Sequence, residues 1–172
     1  MEDGEPLGDP GTTRDSFTVW VRPHWSAMAT LARRLGGADW EDALQEALAS
    51  AWRKREQYDA ARGTPRAWLL AIVADRVRGA RRRRLPEPVG SPDDLADQVG
   101  GDAPSGREMG LDLRAALATL TYRQRVAVEM HYYAGLTVAD VATVLGCAEG
   151  TVKSTLSDAR GHLRRRLGEE YR

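Results

Sequence analysis

In residues 39–54, DWEDALQEALASAWRK, apolar side chains return every three or four positions, at Trp40, Ala43, Leu44, Ala47, Leu48, Ala51 and Trp52. That period places one face of an α-helix in a core. Acids in its first turn and bases in its last suit the helix dipole, so Asp39–Lys54 is expected to be helical. The opposite face carries Asp42, Gln45 and Glu46. Further on, Arg62-Gly63 reads as a turn, Thr64 as an N-cap and Pro65 as the first residue of another helix. Trp68, Leu69, Ile72, Val73 and Val77 form its inward stripe, and Arg66, Arg76, Arg78 and Arg81 to Arg84 leave the rest of it basic.

The C-terminal part has the same period with different punctuation. Leu113, Leu117 and Leu120 make one stripe, and Thr121 with Gln124 forms a capping box for a helix carrying Val126, Met130 and Tyr133. Thr137 and Asp140 start a third helix, with Val138, Val141, Ala142 and Leu145 on one face, and Gly146 is suited to end it in the left-handed conformation. A fourth starts near Glu149 with Val152, Leu156, Ala159, Leu163 and Leu167 inward. Two helices joined by a short glycine-containing turn make a helix-turn-helix candidate, whose second helix enters the DNA major groove in proteins that use it so. Helix–glycine–helix hairpins are also plain scaffold in many bundles. Cys147 reads as a small apolar filler at the turn.

Between these parts, residues 85–110 are rich in Pro, Gly, Ser and Asp and have no apolar period, as expected of a flexible linker. Residues 1–12 read as a disordered leader on the same grounds. No segment alternates with period two over a useful length and no internal repeat is visible. The expected architecture is all-α: two small helical domains, 13–84 and 111–172, joined by an acidic linker. The net charge is zero, but fifteen Lys and Arg face twelve Asp and Glu in residues 1–84, one faces six in 85–110, and nine face seven in 111–172. Two basic modules therefore flank an acidic segment.

Candidate chemistry narrows the reading by exclusion. A single cysteine rules out an intramolecular disulfide or a multi-cysteine metal site, and three histidines lack ligand spacing. With no nucleophile–base pair, metal cluster or phosphate-cradling glycine loop, no enzyme, cofactor or metal is expected. No apolar stretch approaches the ~20 residues that cross a bilayer, and the acidic start lacks signal-peptide character. A soluble cytoplasmic protein without membrane insertion is the simplest reading.

DWEDALQEALASAW, RGTPRAWLLAI, the linker, LTYRQRVAVEMHY and GLTVADVATVLGCAEGTVKS, in that order, resemble the extracytoplasmic-function type of bacterial RNA polymerase sigma factor, of the sigma-70 family. The resemblance runs from about Arg14 to Leu167 and implies two domains, region 2 and region 4, with no region 3 domain between them. It implies core RNA polymerase and promoter DNA as partners, with the protein a monomer within the holoenzyme. An anti-sigma factor that masks both modules is a further partner it admits. Residue by residue, Asp42, Gln45 and Glu46 match the face that grips the polymerase clamp helices. Arg62, Gly63, Thr64, Arg66 and Trp68 match the loop and helix start that capture an unpaired base of the −10 element, and Arg76, Arg78, Arg81 and Arg82 match the face along the adjacent backbone. Glu149, Thr151, Lys153, Ser154, Thr155, Ser157 and Arg160 match the reader of the −35 element.

The chain departs from the family pattern at named places. Pro65 stands where an aromatic residue is common, Asp75 where asparagine is frequent, and Ala148 where a serine usually caps the −35 reader. Thr155 and Asp158 occupy positions that are often basic, which is expected to weaken −35 binding or make it unusually sequence-dependent. These departures motivate a second reading, a sigma-like regulator that binds polymerase without initiating. A third, a helix-turn-helix regulator built like a response-regulator output domain, lacks the strand–helix alternation of a receiver domain in its N-terminal half.

Overall fold

The computed structural model describes residues 9–84 and 111–169, and every regular element among them is helical. The expected linker, 85–110, and the first eight residues of the expected leader lie outside the described residues. Of the expected leader, residues 9–12 are described: Pro10 is buried, and the Gly11 N–H donates to Asp9 Oδ1 at 3.0 Å.

Helix α1, Arg14–Val21, starts on a reciprocal cap in which Thr13 Oγ1 accepts from the Ser16 N–H and Ser16 Oγ accepts from the Thr13 N–H, both at 3.2 Å. Two first-turn donors are thereby satisfied. A 3-10 turn leads into α2, Trp25–Gly36, and a second into α3, Trp40–Lys54. Helix α3 thus begins one residue later than the sequence suggested, because Asp39 belongs to the 3-10 turn and its side chain does not cap. After a third such turn, the Thr64 hydroxyl accepts from the Ala67 N–H at 3.1 Å and opens α4, Pro65–Arg84, as the Thr-Pro pair suggested.

Helices α2, α3 and α4 pack on one another pairwise. Met28, Leu31 and Leu35 of α2, Leu44 of α3, and Leu69, Leu70, Val73 and Val77 of α4 are buried between them. Ala43, Ala47 and Ala51 stack one turn apart on α3, and side chains that small let its neighbours approach closely. Each fully buried Leu, Val or Met contributes about 1.5–3 kcal/mol of transfer free energy, so this face holds the domain together.

The C-terminal domain comprises α5, Leu111–Ala118; α6, Tyr122–Val128; α7, Val138–Leu145; and α8, Glu149–Glu169. The capping box and the helix start predicted from sequence are present: Thr121 Oγ1 accepts from the Gln124 N–H at 3.2 Å and Thr137 Oγ1 from the Asp140 N–H at 3.1 Å. Gly146 ends α7 at φ 62°, in the left-handed region. No sequence pattern announced that α6 continues as a π-helical turn over Glu129–Tyr133. That turn corrects the predicted stripe: Val126 and Met130 are buried, but Tyr133 is 48% exposed. One extra residue in a turn rotates the residues beyond it by about 100° relative to an α-helix.

The two domains touch, and their buried residues form one continuous cluster. Helix α4 packs against α7, and α2 against the π-helical turn. The Tyr122 hydroxyl donates to the Ala74 carbonyl of α4 at 2.8 Å. Arg34 of α2 donates through Nε to Glu129, Arg125 donates to the Arg34 carbonyl, and the Arg34 guanidinium lies 3.6 Å from the centroid of the Tyr133 ring. Glu129 and Arg125 are 1% and 2% exposed, so this charge cluster is sealed from water. Burial pushes the Glu129 carboxyl above the ordinary glutamate range, with the Arg34 hydrogen bond and the Arg34 and Arg125 charges opposing.

Candidate nucleic-acid interface

The turn before α4 is framed by aromatic rings. Trp20 of α1, Tyr58 and Trp68 meet edge to face, with centroids 5.3 Å apart for Trp20–Tyr58, 5.9 Å for Trp20–Trp68 and 5.6 Å for Tyr58–Trp68. Such pairs favour offset and perpendicular arrangements, which fix ring orientation. The Tyr58 hydroxyl donates to the Gly63 carbonyl at 3.2 Å, and Asp59 Oδ1 accepts from the Ala61 N–H at 2.9 Å. The loop is therefore fastened from beneath.

In front of it opens a cleft of about 420 Å³, lined by Lys54, Gln57, Tyr58, Asp59, Arg62, Gly63, Ala67, Trp68, Ala71, Ile72 and Asp75, with Thr143 and Val144 of α7 on its far side. Aromatic faces beside cationic side chains make a surface on which a base can stack while its phosphate is neutralised.

The structure divides the residues expected at the −10 site. Arg62, Gly63 and Trp68 share the cleft. Thr64 is engaged in capping α4. Arg66 instead lines a smaller interdomain cavity of about 190 Å³ with Arg34, Glu129 and Tyr133. It also neighbours His24, whose imidazole is held below its usual pKa by burial and then by the Arg66 charge. Along α4, Arg76 pairs with Asp75 at 3.0 Å, Arg78 is half-buried, and Arg82 is exposed. Arg81 reaches the C-terminal domain, its guanidinium 5.2 Å from the Tyr122 ring centroid. Tyr58 was missed from sequence, because it lies in a connection without periodicity; an aromatic just ahead of a turn was the available signal.

On α3, Asp42, Gln45 and Glu46 form one exposed face. Glu46 is also the partner of Arg83, at 3.1 Å, so the acidic face of α3 and the basic end of α4 are tied together at the surface.

Helix α8 starts without a side-chain cap: the Ala148 carbonyl takes the N–H groups of Thr151 and Val152 at 2.9 and 3.3 Å, but the Ala148 side chain has no oxygen to offer the free donors. Val152, Leu156 and Ala159 fasten the helix to the domain. Glu149, Thr151, Lys153, Ser154, Ser157, Asp158 and Arg160 are exposed along the other side, with Thr155 half-buried. Ser154 and Thr155 donate their hydroxyls to the Thr151 carbonyl at 3.0 and 2.7 Å, and Lys153 lies 3.9 Å from Glu149. The face is rich in hydroxyls and short side chains, carries both signs of charge, and admits close approach.

Comparison with known proteins gives the family. Residues 20–85 match the model for sigma-70 region 2, and residues 110–163 the one for sigma-70 region 4. The ECF RNA polymerase sigma factor SigK of Mycobacterium ulcerans is 35% identical over 159 residues, covering 88% of this chain and 85% of that protein. SigL of Mycobacterium tuberculosis is 36% identical over 151 residues, covering 85% of each. Among solved structures, the sigma factor RpoE of Bartonella quintana, in complex with the anti-sigma factor NepR, matches with a TM-score of 0.70 at 26% identity, covering 91% of this chain and 98% of that one. CnrH, in complex with the cytosolic domain of CnrY, shares the fold, with a TM-score of 0.65 at 22% identity, covering 91% of this chain and 90% of that one. The chain belongs to the sigma-70 family, as an RNA polymerase sigma factor of the extracytoplasmic-function type.

Proposed function

We propose that the protein initiates transcription through three surfaces: the α3 face of Asp42, Gln45 and Glu46 on core RNA polymerase, the cleft lined by Arg62, Gly63 and Trp68 on an unpaired −10 base, and the exposed face of α8 on the −35 element. The observation that carries the reading is the cleft, which brings Arg62, Gly63, Tyr58 and Trp68 together with Lys54. Extruding a base from a duplex costs a few kcal/mol, and each base stacked on an aromatic surface returns about 1–3 kcal/mol. A sigma factor makes no bond; it lowers the cost of opening by holding what opening exposes.

Arg62 and Lys54 neutralise phosphate at the cleft, Trp68 supplies ring surface, and Tyr58 holds the loop. Arg82 and Arg78 follow the backbone beyond it. Lys153, Ser154, Thr151 and Ser157 meet base edges in the −35 major groove, and Arg160 meets phosphate. RpoE is held by an anti-sigma factor in its structure, and a protein of that kind is the natural inhibitory partner here too. The place of action is the cytoplasm, where bacterial RNA polymerase works. No described helix is long and apolar enough to cross a membrane.

The test is run-off transcription with purified bacterial core polymerase and a pool of genomic fragments, mapping RNA 5′ ends. New starts sharing motifs near −10 and −35 are expected. Gln45→Ala combined with Glu46→Ala should abolish binding to core in a pull-down while helicity is retained. Normal binding would remove the α3 face from the reading.

A further inference from the structure

We propose that the cavity between Arg34, Arg66 and Glu129 is a binding site for a small oxyanion that carries a proton, of the hydrogen-phosphate kind. The site is separate from the three surfaces assigned above and does not depend on them.

Three elements build it. Helix α2 contributes Ser26, Thr30 and Arg34, spaced four residues apart and therefore on one face. Helix α4 contributes Arg66 from its first turn, the positive end of a 20-residue helix. The π-helical turn contributes Glu129 and Tyr133. The volume, about 190 Å³, is below the ~300 Å³ at which pockets for drug-sized ligands begin. At ~30 Å³ per water, it has room for one tetrahedral oxyanion and a water beside it.

The polarity of the walls selects the class of ligand. Two guanidinium groups, the helix end and two hydroxyls favour an anion, and against them stands one carboxylate. Glu129 gives Oε2 to Arg34 Nε, and its Oε1 is buried without a hydrogen-bond partner among the described residues. Arg66 Nε is buried in the same condition. Such groups cost free energy until a partner of the right kind arrives. Arg66 is a donor that takes only acceptors, and the Glu129 carboxylate an acceptor that takes only donors. A fully ionised oxyanion answers the arginine and is repelled by the carboxylate. A hydrogen phosphate answers both, with ionised oxygens for the arginines and hydroxyls and its O–H for Glu129 Oε1. Both buried atoms lie just behind the cavity surface, and the Tyr133 side chain, 48% exposed, is the part of the wall able to yield so that the ion touches them.

The test is thermal denaturation of the full-length protein in inorganic phosphate or in sulfate, at equal concentration and ionic strength near neutral pH. Sulfate carries no proton there, and it controls for the general stabilisation that both ions give by exclusion from the protein surface. Phosphate should raise Tm saturably, by about 3–6 °C beyond sulfate at ten times its dissociation constant. Glu129→Gln presents an amide N–H in place of the carboxylate, so sulfate should then stabilise as phosphate does. Arg66→Ala should remove the phosphate increment, and it serves alone if Glu129→Gln fails to fold, as circular dichroism reports. Arg62→Ala, in the larger cleft, should leave the increment intact. Glycerol 3-phosphate identifies the source: a shift equal to that of phosphate assigns the site to the monoester end of a larger molecule, and a shift with phosphate alone assigns it to the free ion. Equal increments for phosphate and sulfate in the wild type would overturn the selection for a proton. No increment, one that survives Arg66→Ala, or one lost with Arg62→Ala would overturn the site.

Discussion

One hydroxyl illustrates how much of the interdomain contact depends on a single protonation state. Tyr122 is buried, and burial raises its pKa above the ordinary tyrosine value against the opposing charges of Arg81 and Arg78. It therefore stays protonated and donates to Ala74. In a separated domain the phenol would ionise at ~10. Its contribution to docking is fully present below that pH and is lost as pH rises through the raised value. Tyr122→Phe keeps the ring and removes the donor, so docking should weaken by about 0.5–1.5 kcal/mol, read as a lower Tm. In an alkaline titration of tyrosinate absorbance, the wild type should show one more late-ionising tyrosine than the variant, Tyr58 being raised by burial and by Asp59 in both; a late step of unchanged amplitude would place the burial elsewhere. A second single-atom effect lies at the start of α8. Ala148→Ser supplies the missing acceptor for a free N–H and should stabilise the C-terminal domain by about 1 kcal/mol in thermal denaturation.

At the scale of the element, α8 combines a firm hydrophobic anchor with an indifferent electrostatic face. Asp158 is exposed on the side assigned to the −35 element, where a carboxylate repels phosphate. Asp158→Arg should raise promoter affinity and steepen its dependence on log salt by about 0.9 for the phosphate gained. An affinity and slope like those of wild type would take that position off the DNA. The start of this reader near Glu149, just beyond Gly146, and the caps of α6 and α7 were legible in the sequence because Thr121–Gln124, Thr137–Asp140 and Gly146 each act within a turn of where they stand. The inward stripes were legible for the same reason, period being a local property. The π-helical turn at Glu129–Tyr133 was not, since nothing in EMHYY marks where an extra residue enters the helix, and Tyr133 was accordingly assigned to the wrong face. At the candidate site, the Arg62–Trp68 loop was readable from its Gly-Thr-Pro punctuation. Its division was not, because which arginines enter the cleft and which face the other domain is settled by tertiary packing.

The whole molecule adds what no local pattern carries: Arg34 and Glu129 stand 95 positions apart, in segments that read as separate modules. Their pairing makes the two domains share one buried cluster, and elements that share a core tend to unfold together. Removing one partner of a buried ion pair costs up to about 3–5 kcal/mol, and here Glu129 would lose its hydrogen-bonded counter-ion and keep only the Arg125 charge in a dry site. Here the cost falls on the docked arrangement, because Glu129 can regain water if the domains separate. Calorimetry of the full-length protein should therefore give a single transition whose van't Hoff and calorimetric enthalpies agree. Arg34→Ala should split it into two, because each domain keeps its own inward stripes, Leu69 and Val73 in one and Val152 and Leu156 in the other. Two transitions already present in the wild type would mean that the shared cluster does not couple the domains. One transition in both proteins would mean that the coupling runs through the α4–α7 apolar contact, with Arg34 adding only its orientation.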